Sequence, residues 1–276
     1  MRFIKDSGKK VISCLRSFLI WSKVNVIIRV NNYKYKIPIK CAEFNFIKLK
    51  KHNARLCLFV KNRHELPHYN TLMEYVKEDS IILDIGSHLG EYLVGFVNNI
   101  SEKGKVLAFE ANPIAYSYLK KIIDLNKWNN KVKLINKAIG DKNKSNSIYI
   151  KSNSIDPSQT IYEKEGGIKQ EIVMTKIDNI LDEIKPNIIL LDVEGYELKA
   201  LEGAKNTLLN NSVIVSVEIH PKRLRELNTS VSEIYSYMTN LGYKELKGSK
   251  YEHPKPYKED RPFNVIFEKS TLKQNN

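Results

Sequence analysis

Five acidic or imidazole side chains carry the chemistry this chain can do: Asp84, Glu110, Asp192, Glu194 and His220. Each lies at or just past the end of an apolar run that reads as a strand. In Ile81-Ile82-Leu83-Asp84-Ile85-Gly86-Ser87-His88-Leu89-Gly90 the run meets an acid, then a turn with two glycines, then a helical pattern. That order is a strand, a tight loop and a helix start, where open α/β sheets bind cofactors. A dinucleotide loop needs Gly-x-Gly-x-x-Gly so that backbone amides can approach a pyrophosphate. Only Gly86 and Gly90 are present, and Asp84 would repel a diphosphate. A cofactor that is cationic at its reactive end suits the loop better, and S-adenosylmethionine fits.

Lys105-Val106-Leu107-Ala108-Phe109-Glu110 reads as the next strand, and it too ends in an acid. A carboxylate at that tip accepts hydrogen bonds from ribose hydroxyls in Rossmann-like units. Asn112 is a good N-cap and Pro113 suits the first helical position. Further along, Ile188-Ile189-Leu190-Leu191 reads as a strand buried on both faces, followed by Asp192 and Glu194. Burying a carboxylate unpaired is costly, so these acids have a reason beyond stability, although Asp192 could instead brace the loop toward Glu197. His220 has the intrinsic pKa of a general base. It also precedes Pro221 at a strand end, where it could simply bond a backbone carbonyl.

Asp84–Gly90, Phe109-Glu110-Ala111-Asn112-Pro113, Ala138-Ile139-Gly140-Asp141, Leu191-Asp192-Val193-Glu194-Gly195-Tyr196-Glu197 and Glu218-Ile219-His220-Pro221 together resemble the successive motifs of FkbM-type methyltransferases. The resemblance covers residues 55–248. It departs from the family at His88, where Asn is common, and at Ala111, where Pro is common. It implies a class I methyltransferase fold. It also implies S-adenosylmethionine as methyl donor and a hydroxyl of a sugar, glycan, polyol or polyketide as acceptor. On this reading Asp84, Gly86, Ser87, His88 and Gly90 hold the methionine end of the cofactor. Glu110 binds the ribose, Asn112 belongs to the same cofactor-binding set, and Asn136 and Ala138 lie near the adenine. Asp192 and Glu194 orient the acceptor or the cofactor amine, and His220 takes the proton. A divalent metal at Asp192 is compatible with this chemistry, but no ligand spacing demands one.

Strands are expected near 81–85, 105–110, 131–137, 187–192 and 213–219, with helices near 72–76, 90–99, 113–126, 175–184 and 196–209. Strands alternating with helices imply a mainly parallel sheet. Late strands near 242–248 and 263–269, with no clear helix joining them, imply an antiparallel edge. The fold class is therefore α/β, a Rossmann-like seven-stranded sheet with an N-terminal helix and hairpin. The stretch 141–169 is polar and long for a connector, with a short strand at 147–150 and a loop near the pocket. Residues 1–54 read as an extension, 55–269 as the methyltransferase domain and 270–276 as a frayed tail. Alternation in 24–30 and 33–37 around Asn31-Asn32 predicts a hairpin, and 55–60 another strand.

The 276 residues carry 45 Lys and Arg against 31 acids, a net charge of +14. This is either a lysine-rich surface or an attraction to an anionic acceptor, a membrane face or nucleic acid. Nucleic acid fits least, because no arginine-aromatic cluster stands out and the Asn-Pro-Pro-Tyr tetrapeptide of base-flipping enzymes is absent. Residues 9–23 form either a basic amphipathic helix lying on a membrane or, as favoured, a helix packed on the core domain or on a second subunit. Arg16 interrupts that segment and no cleavage site follows it, so no signal peptide is expected. The three cysteines are scattered and odd in number, which suggests a reducing, cytoplasmic setting. The missing third glycine and Asp84 count against a nicotinamide oxidoreductase, and the intact acids against a non-catalytic binding module. His64-Glu65-Leu66-Pro67-His68 matches the zinc-protease pattern, but Pro67 argues against the uninterrupted helix that chemistry needs.

Overall fold

A computed structural model describes residues 25–30, 33–38, 66–151, 167–246 and 260–270. Its centre is a seven-stranded sheet built from β3 (Ile81–Ile85), β4 (Lys105–Phe109), β5 (Val132–Ile135), β9 (Ile188–Leu191), β10 (Ile214–Ile219), β11 (Tyr243–Glu245) and β12 (Phe263–Lys269). The spatial order is β11-β12-β10-β9-β3-β4-β5. Neighbours from β10 to β5 run parallel, and β12 runs antiparallel between β10 and β11. This is the class I methyltransferase sheet that the resemblance implied, with the reversed strand one place in from the edge.

The strand alternation assigns side chains to two cores. Ile82, Val106, Ile188 and Leu190 face α1 (Leu66–Glu74), α2 (Leu93–Asn99) and α3 (Pro113–Asn126) through Leu72, Phe96 and Leu119. Leu83, Leu107, Ile189 and Leu191 face the other way. There they meet α4 (Glu197–Glu202), α5 (Lys205–Asn210) and α7 (Val231–Asn240) through Leu201, Leu208 and Met238. Because successive strand residues point to opposite faces, a strand covered on both must be apolar throughout, and β9 is fully buried. The chain leaves β3 toward β4 on one side and returns to place β9 on the other. That reversal opens a crevice beyond the carboxyl ends of β3 and β9, where ligands of such sheets bind.

A smaller sheet has the order β6-β8-β7, from β6 (Ala138–Ile139), β7 (Lys144–Lys151) and β8 (Gly167–Thr175). The short strand expected at 147–150 is thus longer and pairs antiparallel with β8. At the N-terminal side β1 (Asn25–Val30) and β2 (Tyr33–Pro38) form the expected hairpin, with Val30 opposite Tyr33. The Asn31-Asn32 turn, the basic segment 9–23, the strand at 55–60, the loop at 152–166 and the tail 271–276 lie outside the described residues. No helix among the described residues is long and apolar enough to cross a membrane.

Four expectations are corrected. The helix at 175–184 is absent: β8 runs to Thr175, and only a 3-10 turn over Ile177–Asn179 follows. The helix at 196–209 is two helices, because a Cβ on Gly203 would meet the Gly140 carbonyl oxygen at 2.0 Å. The backbones touch there, and α5 starts afresh with Asp178 accepting from the Asn206 and Thr207 amides, 2.9 Å each. Two helices were not anticipated between β10 and β11: α6 (Pro221–Glu226) and α7. Finally, α1 includes Leu66 and Pro67, since proline is tolerated in a first turn. Its His68 is buried and bonded to Ser216 Oγ at 2.8 Å, a structural role; His64 and Glu65 lie outside the described residues.

Candidate functional site

Two groups of side chains gather at the carboxyl edge of the sheet. The first is built around the loop after β3. Asp84 is buried near the end of that strand, and its carbonyl accepts from Ser87 Oγ at 2.7 Å. The chain turns at Gly86 (φ 87°), His88 (φ 45°) and Gly90 (φ 82°). The amides of Gly86 and Ser87 both donate to the Phe109 carbonyl, at 2.9 and 3.0 Å, tying this loop to the tip of β4. A Cβ on Gly86 would stand 1.8 Å from the Asp192 carbonyl oxygen, so two backbones meet at that position.

Glu110 links the two loops. Its Oε2 accepts from the His88 amide at 2.9 Å and its Oε1 from the Asn112 amide at 2.8 Å. Burial pushes its carboxyl up to about 7, against the downward pull of those amides. Asn112 caps α3 by accepting from the Ile114 amide at 2.8 Å, as its position before Pro113 predicted. Asn136 Nδ2 donates to the carbonyls of Glu110 (2.7 Å) and Ala111 (3.2 Å). Ala138 is buried in β6 among Ile148, Ile172 and Met174, with Ala111 and Tyr196 against them. Asp84, Gly86, Ser87, His88, Gly90, Glu110, Asn112 and Asn136 therefore form one connected patch, and Ala138 sits on the small sheet beside it.

The second group gathers Asp192, Glu194 and His220. The Asp192 amide donates to the Ile85 carbonyl at 2.9 Å, which carries β9 alongside β3. Glu194 (φ 51°) and Gly195 (φ 104°) then turn the chain sharply. A non-glycine residue held at positive φ costs about 1–3 kcal/mol and persists only where its surroundings impose it. Here the Gly195 amide is fixed to Glu197 Oε1 at 2.8 Å, and a Cβ on Gly195 would press on Arg223 Cβ at 2.4 Å. His220 follows β10 and points its Nδ1 at the same Glu197 oxygen, 2.7 Å away. A carboxylate only accepts, so Nδ1 is the protonated nitrogen. Nε2 then faces Glu194 Oε2 at 3.7 Å and Asp192 Oδ1 at 3.9 Å.

Burial alone would lower the His220 pKa, but the bond to Glu197 and the charges of Glu197, Glu194 and Asp192 outweigh it and push it up to about 10. The carboxylates favour a proton on the ring, and engaging Asp192 and Glu194 elsewhere removes that pull from Nε2. Burial raises the Glu194 carboxyl, with Glu218 adding to the rise and His220 and Arg223 opposing it. His220 bonds a side chain, not the backbone carbonyl considered from sequence, and the brace in the 192–197 loop is Glu197.

Glu197 is the functional residue that sequence reasoning missed; it is wholly buried at the start of α4. Its signal was an acid placed against Leu198, Ala200 and Leu201 in a core-facing helix. An open cavity of about 360 Å³ adjoins the group, lined by Glu194, His220, Lys222, Arg223, Asp260 and Pro262 among others. Lys222 and Arg223 were also not anticipated.

A family model described as the methyltransferase FkbM domain matches residues 84–245, more than half of the chain. The hexuronic acid methyltransferase AglP of Haloferax volcanii is 29% identical over 181 residues, 62% of this chain and 70% of that protein. Among solved structures, a methyltransferase FkbM from Methylobacillus flagellatus aligns at a TM-score of 0.47 and 13% identity, over 81% of this chain and 70% of its own. A putative rRNA methylase from Clostridium thermocellum aligns at 0.49 and 14%, over 76% and 99%. On the family match, the chain belongs to the FkbM methyltransferase domain family and is an S-adenosylmethionine-dependent methyltransferase.

Proposed function

We propose that the enzyme methylates a hydroxyl of a sugar, glycan or related polyol or polyketide. The observation that carries this reading is the Asp192, Glu194 and His220 group, held beside the loop after β3 and open to a cavity. A carbohydrate hydroxyl is a poor nucleophile, so it needs positioning and a proton acceptor, and a polar cluster at this edge supplies both. The relative from Haloferax volcanii, named for a hexuronic acid, supports a sugar acceptor. Residues 1–54 are then an extension to a catalytic domain over 55–269.

The donor side fits S-adenosylmethionine. Glu110 keeps lone pairs beyond its two amide bonds to accept from ribose hydroxyls. Asp84 and the turn through Gly86, Ser87, His88 and Gly90 offer a carboxylate and close backbone to an ammonium and carboxylate. Asn112 holds the Glu110 loop, and Asn136 and Ala138 flank the base. When bound, the cofactor supplies an electrophilic methyl group, and its transfer leaves a neutral thioether. Asp192 and Glu194 orient the acceptor oxygen, and its proton passes into the Asp192, Glu194 and His220 group and on to solvent.

A labelled methyl-donor assay over a panel of glycosides, uronides, polyols and RNA tests the acceptor class. Label on a carbohydrate hydroxyl is the expected result, and label only on RNA overturns it. Glu110 provides a separate test. Its ionised form accepts from the ribose, so cofactor affinity should fall about tenfold between pH 8 and pH 6 as the carboxyl protonates near 7. The sign for folding is opposite. A carboxyl raised from 4.5 binds its proton more tightly when folded, so its contribution to stability is full below 4.5 and is lost as pH rises through 7. Glu110→Ala should weaken cofactor binding at least tenfold and flatten the profile. Calorimetric titrations at the two pH values check both, and unchanged affinity in the variant removes Glu110 from the cofactor site.

A further inference from the structure

We propose that Asp192, Glu194 and His220 form a divalent-cation site at the acceptor end of the crevice, with Glu197 as the group that orients its histidine. The three side chains each present one ligand atom, all within 4.8 Å of one another. The Nε2 separations, 3.7 Å to Glu194 and 3.9 Å to Asp192, are too long for hydrogen bonds. Donors that share an ion, about 2.1–2.3 Å from one centre at tetrahedral to octahedral angles, stand about 3.0–3.8 Å apart; the Glu194 separation of 3.7 Å falls inside that range and the Asp192 separation of 3.9 Å just outside it.

A second observation points the same way. His220 is 6% exposed, and its Nε2 is aimed between the Glu194 and Asp192 carboxylates, at 3.7 and 3.9 Å. Its other nitrogen is held at 2.7 Å by a wholly buried glutamate. A carboxylate behind the imidazole fixes the tautomer in which Nε2 offers its lone pair, and metal-binding histidines are characteristically held this way. The positive φ of Glu194 turns its carboxylate into the group at a conformational cost. Two carboxylate oxygens and one imidazole suit Mn²⁺ or a similar ion that keeps open positions. Glu194 and His220 line the cavity, so those positions face it. On the function proposed above, they would take the acceptor's hydroxyl oxygen.

The probe is Mn²⁺ added to chelator-treated full-length protein, with free ion followed by electron paramagnetic resonance. Uptake should saturate at one ion per chain below about 1 mM. Asp192→Asn and Glu194→Gln, both at partly exposed positions, should each weaken uptake about tenfold or more while melting like the parent. Ion that stays free through that range, or uptake equal in both variants, overturns the site. The labelled acceptor panel, run with chelator and with Mn²⁺, separates this inference from the function it deepens. Label on a carbohydrate without ion uptake overturns the cation site alone. Ion uptake with label only on RNA leaves the site standing and overturns the proposed acceptor.

Discussion

Replacing Gly86 with alanine should cost about 3 kcal/mol of stability or more and lower cofactor affinity at least a hundredfold. Two costs combine. The backbone at 87° disfavours any side chain, and the new Cβ would lie 1.8 Å from the Asp192 carbonyl oxygen and 2.9 Å from its carbon. Both neighbours are backbone, so no rotamer relieves the clash. Either the Gly86 and Ser87 amides lose the Phe109 carbonyl, or the tip of β9 moves off β3. Each movement displaces a loop that carries proposed ligand contacts. Gly242→Ala separates the two costs, because Gly242 has φ 82° but nothing within 4 Å of its added carbon. That variant should lose only about 1 kcal/mol. Urea unfolding and calorimetry on both proteins decide the matter; equal midpoints would show that the contact at Gly86 carries no weight.

Glu197→Ala should cost about 3–5 kcal/mol and abolish methyl transfer. The change strips the buried His220 Nδ1 of its partner and the Gly195 amide of its acceptor in one step. An imidazole that is 6% exposed cannot recover the lost bond from water. Glu197→Gln keeps an acceptor oxygen for both donors, so it should lose less, about 1–3 kcal/mol. It places an amide nitrogen where Glu197 Oε2 now lies buried without a hydrogen bond. The ranking alanine, then glutamine, then parent in unfolding midpoint is the expected result. An alanine variant as stable as the parent would mean that Glu197 does not hold the histidine.

The strands β3, β4, β9 and β10 and their acids were legible because each has a short apolar run that ends at or next to a carboxylate or imidazole. Ile81–Ile85 and Ile188–Leu191 read as strands covered on both faces, while the order of strands in the sheet is set by contacts between distant segments. Gly203 reads as an ordinary residue in a helical pattern, since its contact with Gly140 joins positions 63 residues apart. The helix α7 did carry a local signal: Ser230 accepts from the Glu233 amide at 3.2 Å, and the Glu233 carboxylate accepts back from Ser230 Oγ at 2.7 Å. That Ser-x-x-Glu spacing is a capping box. Glu197 was hidden for a different reason. An acid in a first turn looks like a partner for the helix dipole, and only the return of the chain through β10 brings His220 to it.

The cavity beside His220 takes its walls from the start of α6 and from the segment just before β12, whereas the proposed donor patch comes from the ends of β3 and β4. On the proposed function, choice of acceptor and grip on the donor are thus written in separate stretches of chain. Exchanging Lys222, Arg223 or Pro262 can retune what is methylated without rebuilding the apparatus that delivers the methyl group. One scaffold of this kind can diversify across many acceptors by changing a few wall residues.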